Sequence, residues 1–227
     1  MVRAALVDQV PRDHRQSDSA FLRRRIVVAI TLVAGAALLG ISLAVPPGNP
    51  AFYPLTGGLA AVWAIGAVAS GPLHLGRIPW RGTLRLPILT PLLIGLLAAA
   101  GFLGGALLVR EIPPLRLLTN SVLDHARTGS LTLVVVITLV NGLAEELFFR
   151  GALYAAIGLR YPVVVSTILY GLATVASGNA MLVFAATLLG AVLGLQRRAS
   201  GGVLGPMITH VTWSTVMLFA LPVVVGR

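Results

Sequence analysis

Apolar residues in this chain come in long blocks, with neither the spacing of an amphipathic helix nor the alternation of a half-buried strand. Most blocks run to roughly 18–22 residues, the length a helix needs to cross about 30 Å of hydrocarbon. Backbone in lipid must satisfy its own hydrogen bonds, so such blocks fold as helices and pack on one another. Composition agrees, with 57% of the 227 residues hydrophobic and 11% charged, where a soluble domain carries about 25% charged residues. The expected fold is all-α, a polytopic membrane bundle of about seven transmembrane helices.

The blocks fall at 26–45, 52–73, 88–109, 131–158, 162–177, 180–196 and 203–225. Residues 1–25 are polar and hold six Arg, and read as a mobile cytoplasmic tail with a basic anchor, followed by one transmembrane domain over 26–227. Ser42-Leu43-Ala44 loosely resembles a signal-peptide cleavage site, but the run 26–45 exceeds an ordinary signal core of 7–15 residues, so it is read as an uncleaved span. Between 110 and 130, after the Pro113-Pro114 break, Leu115, Leu118, Val122 and Ala126 fall at helical spacing, which predicts an interfacial amphipathic helix. No matching pair of broken helices marks two halves, the pattern expected of a secondary transporter.

All seventeen basic residues are Arg, a bias that fits a GC-rich bacterial genome, and the net charge is +10. These Arg sit beside membrane spans without the interleaved aromatics that stack bases, so no nucleic-acid partner is expected. With the N-terminus inside, thirteen Arg fall on the cytoplasmic side and four opposite, the sense of the positive-inside rule. The expected location is a bacterial inner (plasma) membrane, multi-pass, with the N-terminus cytoplasmic. Cysteine is absent, which excludes disulfides and a thiol nucleophile.

Charge inside an apolar helix is costly unless paired or wetted, so Asn141-Gly-Leu-Ala-Glu145-Glu146-Leu-Phe-Phe-Arg150 concentrates the chemistry. Glu146 and Arg150 stand four apart, in the favourable order for an ion pair. Glu145 points about 100° away and has no local partner; a carboxylate in apolar surroundings suits a general base acting on water. The bland reading places both Glu at a solvated helix end. His210 sits inside the last block with Ser214 one turn on, and Tyr170 precedes Thr174 by four. His in a membrane helix often serves only packing, and Thr there usually bonds its own backbone, so both readings stand at this point. Gly190 and Gly194 have the small-xxx-small spacing of close helix packing. His14, His74 and His125 fall in the tail or loops and are read as bland. Two Glu and a His could ligate Zn²⁺, though the spacing is not a zinc signature.

In their order (Glu-Glu-x-x-x-Arg, an aromatic four before a polar residue, Phe184 with spaced Gly, then His with a polar residue four later) these residues resemble the type II CAAX prenyl protease and bacteriocin-processing family, also called the CAAX protease self-immunity family of intramembrane proteases. The resemblance covers about 131–225 and is most specific at Ala144-Glu145-Glu146-Leu-Phe-Phe-Arg150-Gly-Ala-Leu. It implies that Glu145 activates the attacking water, that Glu146 and Arg150 support it, and that His210 helps bind the developing oxyanion. Two positions depart from the family pattern. Thr174 stands where the second motif normally ends in His or Asn, and Ser214 where the last normally has Asn.

The resemblance implies an intramembrane endopeptidase using Glu-activated water on a membrane-associated peptide or protein, with Thr174 helping to position the water and Ser214 assisting His210. A prenylated substrate is not expected of a bacterial host. The two departures support a different class of function, a catalytically weakened member retained as an interaction or accessory subunit of a transporter or envelope complex. In either case the partners are the lipid bilayer and membrane peptides or proteins, and the polar cluster is expected to face a cytoplasm-accessible cavity.

Overall fold

The computed structural model describes residues 2–10, 15–80 and 82–226. Arg12, His14, Arg81 and Arg227, which figured in the tail, the basic loop and the charge count, lie outside them. The elements are α1 (Val2–Leu6), α2 (Asp18–Ala44), α3 (Phe52–Ser70), β1 (Ile78–Trp80), β2 (Thr83–Arg85), α4 (Leu89–Val109), α5 (Pro113–Arg127), α6 (Leu131–Glu146), a π-helical segment (Leu147–Leu153), α7 (Tyr154–Ile157), α8 (Pro162–Val175), α9 (Ala180–Ser200) and α10 (Leu204–Val225).

Local chemistry sets several boundaries. Ser17 caps α2 by accepting from the Ala20 N–H, and Asn179 caps α9 by accepting from Met181 and Leu182. Pro113-Pro114 opens α5 and Pro162 opens α8, where a missing N–H costs nothing. Gly201, at φ 74°, ends α9 in the left-handed conformation.

Among the described residues six helices are long and apolar enough to cross a membrane, with α6, the π segment and α7 counting as one 27-residue span over Leu131–Ile157. The expected fifth span, α8, has only 14 residues. At 1.5 Å per residue it reaches about 21 Å, short of the hydrocarbon thickness. The bundle is therefore a set of six full spans with one short apolar helix packed among them. Around the bundle α2 packs on α3, α3 on α6, α6 on α10, α10 on α9, α9 on α8 and α8 back on α2, while α4 lies against the outside of α10. Gly35 permits the α2–α3 contact, because a Cβ there would overlap the Trp63 indole. Trp63, Phe148, Phe149 and Tyr170 then stack in series, with centroids 4.6 Å (Trp63–Phe148), 5.1 Å (Phe148–Phe149) and 4.4 Å (Phe149–Tyr170) apart, and bury the start of the π segment.

Alternating helix direction sorts the loops onto two ends. One end carries residues 71–88, 158–161 and 197–203, together with the N-terminal segment. Residues 2–10 of the tail are docked there instead of projecting: Ala5 and Val10 are buried, and Val10 N–H donates to the Ala199 carbonyl at 3.1 Å. The short basic loop between α3 and α4, which carries Arg77 and Arg85, forms a small antiparallel hairpin pairing Ile78 with Arg85 and Trp80 with Thr83. Among the described residues this end holds most of the Arg, several of them tied down. Arg24 is buried and donates to the Gln16 side chain and the Pro72 carbonyl, and Arg197 is buried and donates to the Arg150 carbonyl. Gly76 and Gly202 pack backbone to backbone with no room for a side chain at either.

The opposite end carries residues 45–51, 110–130 and 177–179. The amphipathic α5 lies across it, pinned by His125 to the Val45 carbonyl (2.9 Å), by Asn179 to the Leu118 carbonyl (2.6 Å) and by Arg127 to the Gly226 carbonyl (2.7 Å). His125, expected to be bland, is thus a structural tie.

Candidate active site

A cavity of about 950 Å³ occupies the α5 half of the bundle. Its walls come from the end of α2, the first half of α3, the second half of α4, α6 from Val134 to Glu145, the first half of α9 and α10 from His210 to Leu221, and the apolar face of α5 lies over it. Nearly all of this lining is aliphatic or aromatic. Glu145 and His210 stand at its deep end. This corrects the expectation of a cavity at the arginine-rich end. None of its lining residues comes from the loops of that end, where Arg24 and Arg197 are buried, Gly76 packs on Gly202, and a separate pocket of about 170 Å³ lies between the hairpin and the start of α4.

A π segment, announced by no residue pattern, follows the glutamate pair directly and carries Arg150; such segments are frequent at functional sites. Glu146 is 0% exposed and Arg150 is 1% exposed. One oxygen of Glu146, Oε1, accepts from Arg150 Nη1 at 2.8 Å and from His210 Nδ1 at 2.8 Å. The guanidinium also lies 4.7 Å from the centre of the Tyr170 ring. A carboxylate paired with Arg is an acceptor only, so the ring nitrogen Nδ1 must carry the proton it shares with Glu146. Among the described residues Nε2 takes no hydrogen bond. Gly142 faces the ring, and a Cβ there would make only an ordinary contact, 3.7 Å from His210 Cδ2.

Glu145 is half-buried and faces the cavity. Its Oε2 accepts from the Tyr170 hydroxyl at 2.5 Å. Tyr170 enters the sequence reading only as the aromatic four before Thr174; its role as the partner of Glu145 comes from the docking of α8. Thr174 is buried outside the cavity lining, and its hydroxyl donates to the Tyr170 carbonyl at 2.8 Å. Ser214 does line the cavity, with its hydroxyl donating to the His210 carbonyl at 2.7 Å. The structure thus brings Glu145, Glu146, Arg150 and His210 into one cluster, sets Ser214 beside it, and leaves Thr174 behind Tyr170.

A second polar chain, absent from the sequence reading, fixes the height of His210. Gln196 donates to Thr209 at 2.8 Å, and Thr209 to the Pro91 carbonyl at 2.9 Å, joining α9, α10 and α4 one residue before His210. An isolated Gln in an apolar run was the available signal. Among the described residues no group of three or more His, Asp or Glu is placed to hold a metal ion.

Comparison with known families adds an independent line. Residues 127–216 match the family described as type II CAAX prenyl endopeptidase Rce1-like, a stretch that holds α6 through most of α10 and every residue of the cluster. No curated protein and no solved structure matches the chain.

Proposed function

We propose, from the premise that residues 127–216 form a domain of the type II CAAX prenyl endopeptidase Rce1-like family, that this chain hydrolyses a peptide bond of a membrane-associated substrate with water activated by Glu145. One observation carries the reading: Glu146 Oε1 binds Arg150 and His210 at 2.8 Å each, which holds His210 beside Glu145 at the cavity's deep end.

The steps follow from the residues. Tyr170 holds Oε2 of Glu145 and leaves Oε1 to face a cavity water. That water attacks the scissile carbonyl carbon as Glu145 takes its proton, and the carbonyl π electrons move onto oxygen. With Nδ1–H committed to Glu146, Nε2 is the ring atom that faces this oxyanion and, when it carries a proton, donates to it. Collapse of the tetrahedral intermediate breaks the C–N bond, and Glu145 returns its proton to the departing nitrogen. Arg150 holds Glu146 in place, and Glu146 holds the ring.

The arginine distribution supports an orientation with the crowded end and the N-terminus in the cytoplasm, and a bacterial inner membrane as the location. On that orientation the cavity opens through the opposite half of the bilayer, beneath α5. A largely apolar cavity at membrane depth favours a hydrophobic peptide segment as substrate.

The test is proteolysis of hydrophobic membrane peptides by the purified protein in liposomes, with products read by mass spectrometry. Wild type yields fragments that Glu145→Gln does not. Identical product spectra from the two would defeat the reading.

A second reading, an accessory subunit with weakened catalysis, draws support from Thr174 and Ser214, both of which donate their hydroxyl protons to their own helices. It expects recovery of the protein from membranes in a stoichiometric complex that is unaffected by Glu145→Gln.

A further inference from the structure

Two polar atoms in the cavity wall have no partner and no part in the chemistry above. Asn141 lies one turn before Glu145 on the same face of α6 and lines the same cavity. Its amide nitrogen donates to the Ile137 carbonyl at 2.9 Å and the Thr56 carbonyl at 3.2 Å. Both N–H groups are thereby used, the amide cannot be flipped, and Oδ1 is left as a buried acceptor without a donor. Across the cluster on α10, Trp213 lies three residues after His210 and also lines the cavity, its ring 6.1 Å from the imidazole and 5.1 Å from Phe102. Its Nε1–H is a buried donor without an acceptor.

Leaving one such group unmet is costly; the Asn141 amide nitrogen ties α6 to α3 and the Trp213 ring packs on Phe102, but neither role uses the Asn141 Oδ1 or the Trp213 N–H. The pair is complementary in kind: one acceptor and one donor, on the two helices that carry Glu145 and His210. A main-chain peptide unit offers one N–H and one C=O. Water offers the same chemistry, but both atoms are recessed behind the aliphatic lining, and satisfying them takes a group that packs against that lining as well. A hydrophobic peptide does so, with small side-chain rotations that bring the two atoms to the cavity surface.

We propose that Asn141 and Trp213 form an amide-binding subsite, Asn141 Oδ1 accepting from a substrate main-chain N–H and Trp213 Nε1 donating to a substrate carbonyl next to the scissile bond. The proposal rests on the peptidase reading for its substrate class, and its test is a binding measurement that needs no turnover. In the Glu145→Gln protein in detergent, the probe is acetyl-tetraleucine amide, together with versions in which each internal amide in turn becomes an ester, which removes one N–H. The expected result is that one ester position binds about tenfold more weakly, that Asn141→Ala erases this discrimination, and that Trp213→Phe weakens every probe about tenfold. Trp213→Phe keeps the ring packing on Phe102 and deletes only the N–H, so it guards against a folding defect in Asn141→Ala, and thermal unfolding is measured for both.

The subsite is refuted if no ester costs affinity, if Trp213→Phe binds like its parent, or if the tetrapeptide does not bind at millimolar concentration. The two readings separate cleanly. Binding that responds to both substitutions in a protein whose Glu145 form cleaves nothing keeps the subsite and removes the peptidase. Cleavage that proceeds with unaltered KM in Asn141→Ala and Trp213→Phe removes the subsite and keeps the peptidase.

Discussion

Glu146 and His210, on α6 and α10 and 64 residues apart in the chain, share a 2.8 Å hydrogen bond buried in the bundle. The same carboxylate oxygen holds Arg150. One acid group thus fixes both the π segment and the last helix.

Breaking that arrangement leaves a buried cation uncompensated. Glu146→Ala is expected to lower stability in detergent by about 3 kcal/mol, and the double variant Glu146→Leu with Arg150→Met to recover much of the loss, because a buried ion pair replaced by apolar side chains is often neutral. Chemical or thermal unfolding of the purified variants measures both. A double variant no more stable than Glu146→Ala would show that the pair does more than neutralise itself.

On the proposed peptidase reading, loss of the base and loss of its support differ in size. Glu145→Gln is expected to reduce peptide hydrolysis by about 10³-fold at nearly unchanged stability. Tyr170→Phe, which removes one hydrogen bond to Glu145, is expected to cost about tenfold. Single-turnover cleavage rates in liposomes give both numbers.

His210→Ala is expected to cost about 10²–10³-fold in kcat through the lost oxyanion donor. Thr174→Val and Ser214→Ala are expected to stay within about threefold of wild type, since each hydroxyl spends its proton on a carbonyl one turn back. A loss of a hundredfold in either would mean that the hydroxyl turns toward the substrate during the reaction.

The loop histidine His74, at the arginine-rich end outside the spans, has its pKa pushed below the ordinary value by burial first, and then by the nearby charges of Arg197 and Arg24. The folded protein therefore binds this proton less readily than the unfolded chain, whose value is about 6.5. The stability His74 contributes is complete above that pH and is lost as pH falls from it toward the folded value. Melting temperatures from pH 8 to pH 5 should fall in wild type, and the fall should shrink in His74→Gln.

Overpacking tests the helix contact nearest the aromatic stack. Gly35→Val puts methyl groups where the Trp63 ring lies and is expected to destabilise by about 1–3 kcal/mol. Pairing it with Trp63→Leu should recover part of that loss.

Lipid made the spans legible in the sequence, because it allows few ways to satisfy a backbone and so ties block length to structure. The amphipathic spacing of Leu115, Val122 and Ala126 identified α5 for the same reason of solvent contrast. Partners one helical turn apart were legible too, as Glu146 and Arg150 show. Contacts that depend on how helices dock were not: Tyr170 on Glu145, His210 on Glu146 and Gln196 on Thr209 join different helices. No residue pattern distinguishes a π turn from an α turn at Leu147–Leu153, and strands of three residues are too short to carry a periodicity. The position of the cavity escaped the sequence because Arg side chains that suggested a wetted mouth are folded inward, as Arg24 and Arg197 are.

That inward folding has a further consequence. A pocket stoppered at one end by fixed positive charge offers no continuous file of solvent from one compartment to the other. On the proposed peptidase reading, protons shuttled by a carboxylate within it return the way they came, and the bilayer around the protein keeps its electrochemical gradient.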